Sequence, residues 1–228
     1  MDSQKSWSEL ASSSLLLKAV SSWRKDPESW LEGSFERLPE TVRVNPLRTD
    51  SKWVEEWITE QGGKPVPWFK GPGTAWEMPF SRGLAEGKAR EMLIALHETG
   101  RITRQETVSM IPVLALEVSK GDYVLDMCAS PGSKTTQISE CLGEGGVVFA
   151  NEISNSRANT LVSNVHRHGS KSAVIINHDG RHLPNMPNHG FDKVLVDAPC
   201  TGSATTRKNP EVWQKWTPEG GRSLHDLQ

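Results

Sequence analysis

The chain has 228 residues, 36% hydrophobic and 24% charged, with a formal net charge of −2 at pH 7. That length admits one large domain or two small ones, and no run of about eighteen apolar residues is present to form a membrane span. The three cysteines, Cys128, Cys141 and Cys200, are odd in number and widely spaced. They form neither a disulfide framework nor a zinc pattern, so a reducing cytoplasm, or the nucleus in a eukaryote, is the expected setting.

The start, Met1 to Leu10, is polar and lacks the basic-then-apolar order of a signal peptide. Helices are predicted around Glu9–Arg24 and Glu28–Phe35, then a short strand Thr41–Asn45 that Pro46 ends. Ser51–Glu60 reads as a helix. Gly62, Gly63, Pro65 and Pro67 break the pattern, as do Gly71, Pro72 and Gly73. Seven of the nine tryptophans precede residue 77. They suit a partly buried core, or stacking on RNA bases. Two helical stretches follow, Leu84–Glu98 and Arg104–Ser119, the second carrying Pro112, which should bend or break it.

From Asp122 the pattern becomes strand, loop, helix, repeated. The apolar runs are Tyr123–Leu125, Val147–Ala150, Ala173–Ile176 and Val194–Val196. Short β-branched runs alternating with helices predict an α/β fold whose parallel sheet is covered on both faces. Four divisions are expected: a helical segment 1–36, a small α/β subdomain 37–83, linking helices 84–121, and a parallel-sheet α/β domain 122–228.

Each run is followed by an acidic residue: Asp126, Glu152, Asp179 and Asp197. Ligands of open parallel sheets bind beyond the carboxyl ends of the strands. One acid there would mean little, since strands must end in something polar; four around one expected crevice indicate a site. The loop Cys128, Ala129, Ser130, Pro131, Gly132, Ser133, Lys134 opens a helix Thr135–Cys141. Its small residues admit a close ligand, and the helix N-terminus offers free N–H groups to an anion. A dinucleotide fingerprint needs three glycines, and this loop has one, which disfavours a nicotinamide-dependent oxidoreductase. Glu152, 26 residues beyond Asp126, suits a ribose, and Asp179 the adenine edge. An adenosine ligand with a carboxylate tail is favoured, and S-adenosylmethionine has both parts.

Asp197-Ala-Pro-Cys200 follows the fourth run. A thiol beside a carboxylic acid suits pyrimidine chemistry: cysteine adds to ring carbon 6, the acid supports the ring nitrogen, and carbon 5 becomes nucleophilic. Without that context Cys200 would read as a small buried residue. His166, His168, His178 and His182 fit no single face, so no metal is expected. Residues 1–156 carry 17 basic and 22 acidic side chains, and residues 157–222 carry 9 and 5. This swing alone does not establish a nucleic-acid partner.

At these residues the chain resembles the Nop/Sun-type RNA (cytosine-5) methyltransferases. The matching stretches are RLPETVRVNPLR (37–48), RQETVSMIPVLAL (104–116), VLDMCASPGSKTTQ (124–137), NHDGR (177–181) and VDAPCTGS (196–203). TRKNPEVWQKW (206–216) and SLHDLQ (223–228) continue the likeness, which is greatest to the tRNA-modifying branch. The resemblance implies a Rossmann-like methyltransferase domain preceded by a small RNA-binding subdomain, with an RNA substrate, expected to be tRNA, and S-adenosylmethionine as cofactor. By resemblance, Cys128 to Lys134 hold the methionine end, Glu152 the ribose and Asp179 the adenine side. Asp197 and Lys134 face the target base, Arg207 and Lys208 meet phosphates, and Cys200 assists product release. The family's attacking thiol is a different cysteine, in a threonine-cysteine motif on the next strand. The chain is therefore expected to stop short of its nucleophile, with an incomplete sheet and an exposed edge. A non-catalytic RNA-binding relative is the alternative. The sequence leaves open the RNA position, the organism and the oligomeric state.

Overall fold

A computed structural model of the chain describes residues 9, 11–143, 145–184 and 189–228. The chain divides into two compact units, one of Met1–Leu38 with Ala198–Gln228 and one of Pro39–Asp197. These cuts differ from the expected boundaries at 36, 83 and 121, because contacts, unlike composition, join the two chain ends in one unit. Among the described residues no helix is long and apolar enough to cross a membrane.

In the smaller unit, helices α1 (Leu15–Ser21) and α2 (Pro27–Gly33) meet two returning helices, Val212–Lys215 and Pro218–Leu227. The side chains of Ser14 and Asp26 accept the backbone N–H of Leu17 and Ser29, so each helix starts on a side-chain cap. Leu10 and residues before Glu9, including Trp7, lie outside the described residues; within the expected Glu9–Arg24, Glu9, Ala11 and Ser12 are helical, Ser13 and Ser14 interrupt, and α1 ends at Ser21. Trp213 is the buried centre, edge-on to Trp30 at 5.5 Å and stacked on Phe35 at 6.0 Å. Leu16 and Val20 pack against it.

The larger unit holds two sheets. In the first, β1 (Pro39–Val44) lies between β3 (Thr74–Ser81) and β4 (Ile102–Arg104), and β2 (Lys64–Pro65) flanks β3, all antiparallel. Helices α3 (Ser51–Glu60) and α4 (Gly87–Glu98) carry Val54, Ile58, Leu93 and Leu96 onto Val42, Val44, Met78 and Ile102. Each such buried side chain contributes roughly 1.5–3 kcal/mol. The expected helix Arg104–Ser119 is corrected: Ile102–Arg104 is a strand paired to Val42–Val44, and the helix, α5, runs only Thr107–Ala115. Pro112 lies inside α5 without ending it. β3 was not anticipated.

The second sheet is parallel, in the order β7-β6-β5-β8. Its strands are β5 (Tyr123–Asp126), β6 (Val147–Asn151), β7 (Ala173–Ile176) and β8 (Lys193–Leu195), with α6 (Ser133–Leu142) and α7 (Asn155–His168) between the first three. Val124, Val148 and Leu195 pack on Ile138 and Leu142 of α6, and Ala150 on Leu161 and Val165 of α7. The register places Leu125, Phe149, Val174 and Val194 together on the opposite face. There Val174 and Val194 are 44% and 45% exposed. The expected cover on both faces is met only in part: Leu125 is buried on that face, but strand periodicity sends alternate residues to opposite sides, and the described helices of this unit take one side.

The two sheets meet along a polar seam. β1 turns Val42 and Val44 into the apolar cluster, which sends Arg43 and Asn45 to the other side. The Arg43 Nε donates to both Glu140 oxygens at 2.9 and 3.2 Å, and its Nη2 donates to Glu140 at 3.0 Å and to Thr136 at 3.0 Å. Both charged side chains are fully buried. His168 Nε2 meets the same carboxylate at 2.9 Å, and Asn45 donates to the carbonyls of Gly100 and His168 at 2.8 Å.

Candidate active site

Because the four strands are parallel, their carboxyl ends share one edge; Asp126 is the last residue of β5, and Glu152, Asp179 and Asp197 follow the ends of the other three. The chain steps from β5 to β6 to β7 on one side, then returns to place β8 on the other side of β5. That reversal is the switch point where open α/β sheets bind ligands. Asp126 and Asp197 come from the two strands that flank it.

Asp126 is 1% exposed. Its Oδ2 accepts the Thr135 hydroxyl at 2.7 Å, while Oδ1 is buried without a partner. Burial pushes this carboxyl up to about 6, against the Thr135 hydrogen bond and the Lys134 charge, which favour ionisation. A carboxyl raised in the fold holds its proton more tightly there than in the unfolded chain, so stability falls as pH rises from about 4 through 6. Asp126→Asn keeps an acceptor for Thr135. It is expected to remove that fall and to raise stability at pH 8 by an amount on the order of 3 kcal/mol. Urea unfolding at pH 5 and pH 8 measures this, and an unchanged pH dependence would contradict it.

The loop after β5 is fixed at both sides. Met127 N–H donates to the Leu195 carbonyl at 2.9 Å and Ala129 N–H to the Asn151 carbonyl at 2.8 Å. Gly132 starts α6 at φ 110°, where a side chain is strained, and an added Cβ would stand 2.9 Å from Leu161. Ser130 Oγ donates to the Arg157 carbonyl and Arg157 returns a bond to the Ser130 carbonyl, both at 2.9 Å. Lys134 Nζ reaches across to Asp197 Oδ2 at 2.6 Å. Asp197 is itself 59% exposed at the side chain, so it is held at one oxygen and open at the rest.

Glu152 is buried; it accepts the Ser154 N–H at 2.9 Å and stands 3.3 Å from Arg157. Asp179 accepts Arg181 through backbone and guanidinium, at 3.0 and 3.1 Å, and those hydrogen bonds hold its carboxyl well below the usual range. The structure thus brings Asp126, Cys128–Lys134 and Asp197 together directly, and sets Glu152 and Asp179 further along the edge, each with an arginine. Burial, followed by the charges of Asp126, Glu152 and Asp197, pushes the Cys128 thiol up, so it is a poor nucleophile. Cys141 is pushed up to about 11 by burial and Glu140. Cys200 is exposed and belongs to the other unit. His168 is taken by Glu140, and among the described residues no group of three or more His, Cys, Asp or Glu is placed to hold a metal.

Sequence reading missed Asn151. Its amide donates to the carbonyls of Met127 and His178 at 3.1 and 3.0 Å and accepts the His178 N–H at 3.0 Å. One side chain thereby ties the loop after β5 to the loop after β7. Its only signal was its place beside Glu152.

Residues 113–228 match the family described as 16S rRNA methyltransferase RsmB/F. The multisite-specific tRNA:(cytosine-C(5))-methyltransferase of Saccharomyces cerevisiae is 32% identical over 99% of this chain, which covers 39% of that protein. The tRNA (cytosine(34)-C(5))-methyltransferase of Drosophila melanogaster is 38% identical over 72% of this chain and 25% of its own length. A solved methyltransferase homolog protein from Pyrococcus horikoshii is 27% identical with a TM-score of 0.62, over 83% of this chain and 60% of that one. The chain therefore spans between a quarter and three fifths of the length of these relatives. Its loop, its strand ends and the order of its motifs agree with the match, and the chain belongs to the RsmB/F family of methyltransferases.

Proposed function

We propose that the protein transfers a methyl group from S-adenosylmethionine to carbon 5 of a cytosine in RNA, with tRNA as the substrate, in the cytoplasm or nucleus. The observation that carries this reading is Asp197, an exposed carboxylate anchored by Lys134 at the switch point beside a buried carboxyl. The names of the yeast and fly relatives support the substrate class.

The unpartnered Asp126 Oδ1 and the N-terminus of α6 fit the cofactor's amino-acid end, which carries both an ammonium and a carboxylate. Cys128, Ala129, Ser130, Pro131, Gly132, Ser133 and Lys134 would line that end, with Glu152 toward the ribose and Asp179 toward the adenine. When bound, the cofactor supplies an electrophilic methyl group on a sulfonium centre. Asp197 hydrogen-bonds the cytosine ring nitrogen as charge builds there, and Lys134 holds that carboxyl in place. The thiolate that adds to ring carbon 6 comes from the family's threonine-cysteine strand. Cys200 assists the elimination that frees the methylated product. Residues 37–83 form the RNA-binding subdomain, and Arg207 and Lys208 meet phosphates.

A form long enough to carry both thiols tests this. Tritiated methyl is expected in cytosine of transcribed tRNA, and its absence from every RNA sinks the reading. With Cys200→Ala, a covalent protein–RNA adduct that survives denaturing gels is expected to accumulate. Loss of all adduct would instead make Cys200 the attacking thiol.

A further inference from the structure

The larger unit contains a cavity of about 250 Å³ that none of the four strand-end carboxylates lines. Its wall includes Arg82, Arg104, Arg167, His97 and His168, and no aspartate or glutamate. Glu40 takes the Nε and Nη2 edge of Arg104. Arg167 donates to the Asn164 amide oxygen at 2.7 Å and, among the described residues, to no carboxylate. Arg82 is exposed at the rim and likewise has no carboxylate partner among the described residues. Three guanidinium groups thus share one counter-charge.

Two further observations point to a missing anion. His168 is 3% exposed and its Nδ1 is buried without a partner, as is the Nδ1 of His97. Burial, and after it the Arg167 charge, hold His97 below its ordinary value. Gly132 and Ser133, the start of α6, complete the wall. Planar guanidinium groups present parallel N–H donors that match a phosphate. The volume falls below the roughly 300–1,000 Å³ of pockets for drug-sized ligands, which suits a phosphodiester with part of its sugar.

We propose that this cavity binds a backbone phosphate of the RNA substrate, a step that rests on the RNA methyltransferase reading. Phosphate contacts set register and leave specificity to the bases. Pro131, Gly132 and Ser133 line the cavity while Lys134, the next residue, meets Asp197. One loop would therefore fix a phosphate on one side and face the reacting base on the other.

The test measures tRNA binding by anisotropy across a salt series, for the wild-type chain, Arg82→Gln and Arg167→Gln. Each variant is expected to bind about fivefold more weakly, with a salt slope shallower by about 0.7–1. S-adenosylmethionine affinity by calorimetry is expected to be unchanged. Arg82 lies on the surface, so that variant leaves the fold intact. In a second arm, inorganic phosphate is titrated while the His97 imidazole is followed by NMR. Its pKa is expected to rise in the wild type and to stay fixed in Arg167→Gln.

Weaker cofactor binding with unchanged RNA binding would assign the cavity to the cofactor and overturn the proposal. A phosphate response with unchanged RNA affinity and slope would overturn RNA as the source. A wild-type chain that binds no RNA would fail the functional reading itself, and the phosphate arm would then still decide whether the cavity takes an anion.

Discussion

Asp197→Asn is expected to lower methyl transfer by about 10²–10⁴-fold while cofactor and RNA affinities stay within a few-fold, the range lost with a positioned acid–base group. The carboxyl is 59% exposed and its recorded partner is Lys134, so little of the fold depends on it. Asparagine keeps the shape and an acceptor for the lysine but cannot hold the proton that a ring nitrogen needs. Single-turnover incorporation of tritiated methyl into transcribed tRNA measures the effect, in a form that carries the threonine-cysteine strand. A near-wild-type rate would remove Asp197 from the chemistry. Lys134→Met is expected to give a smaller loss, since it frees the carboxyl without deleting it.

The largest stability effect is expected at the seam. Arg43→Met should destabilise the chain by about 3–5 kcal/mol, because it leaves the Glu140 carboxylate buried without its guanidinium partner. The double variant Arg43→Met, Glu140→Leu should recover most of that loss, since a packed apolar pair of similar size replaces a desolvated ionic one. Urea unfolding of the three proteins measures both steps. A single variant within 1 kcal/mol of the wild type would mean that the pair contributes no more than a surface bridge.

The parallel sheet was legible because each strand is a short β-branched run between polar loops, and the four carboxylates were legible because each stands where such a run stops. The β8 run was placed one residue late, at Val194–Val196 against the observed Lys193–Leu195, since apolar residues continue past the last ladder bond. β3 was hidden by Gly71, Pro72 and Gly73 just before it, which read as breakers although Ala75, Trp76, Met78 and Phe80 face the core on either side. β4 was missed, its last residue, Arg104, being read as the start of the following helix. The seam left no local trace, because a buried arginine has no periodicity and its partner lies 97 residues away. The arginines that hold Asp179 and Glu152 were likewise invisible, since nothing in a motif tells which cation will occupy a carboxylate.

That separation also sets an order of events during synthesis. Ribosomes add about 5–20 residues per second, and domains assemble as they emerge. Arg43 is therefore made about 5–20 s before Glu140, and Asn45, whose partner carbonyl at His168 lies 123 residues on, waits longer still. For that interval the strand that will carry both has its apolar face ready and its polar face unanswered. The antiparallel sheet of a nascent chain cannot close its seam until α6 and α7 have left the ribosome, so its polar face faces water while its apolar face is already packed.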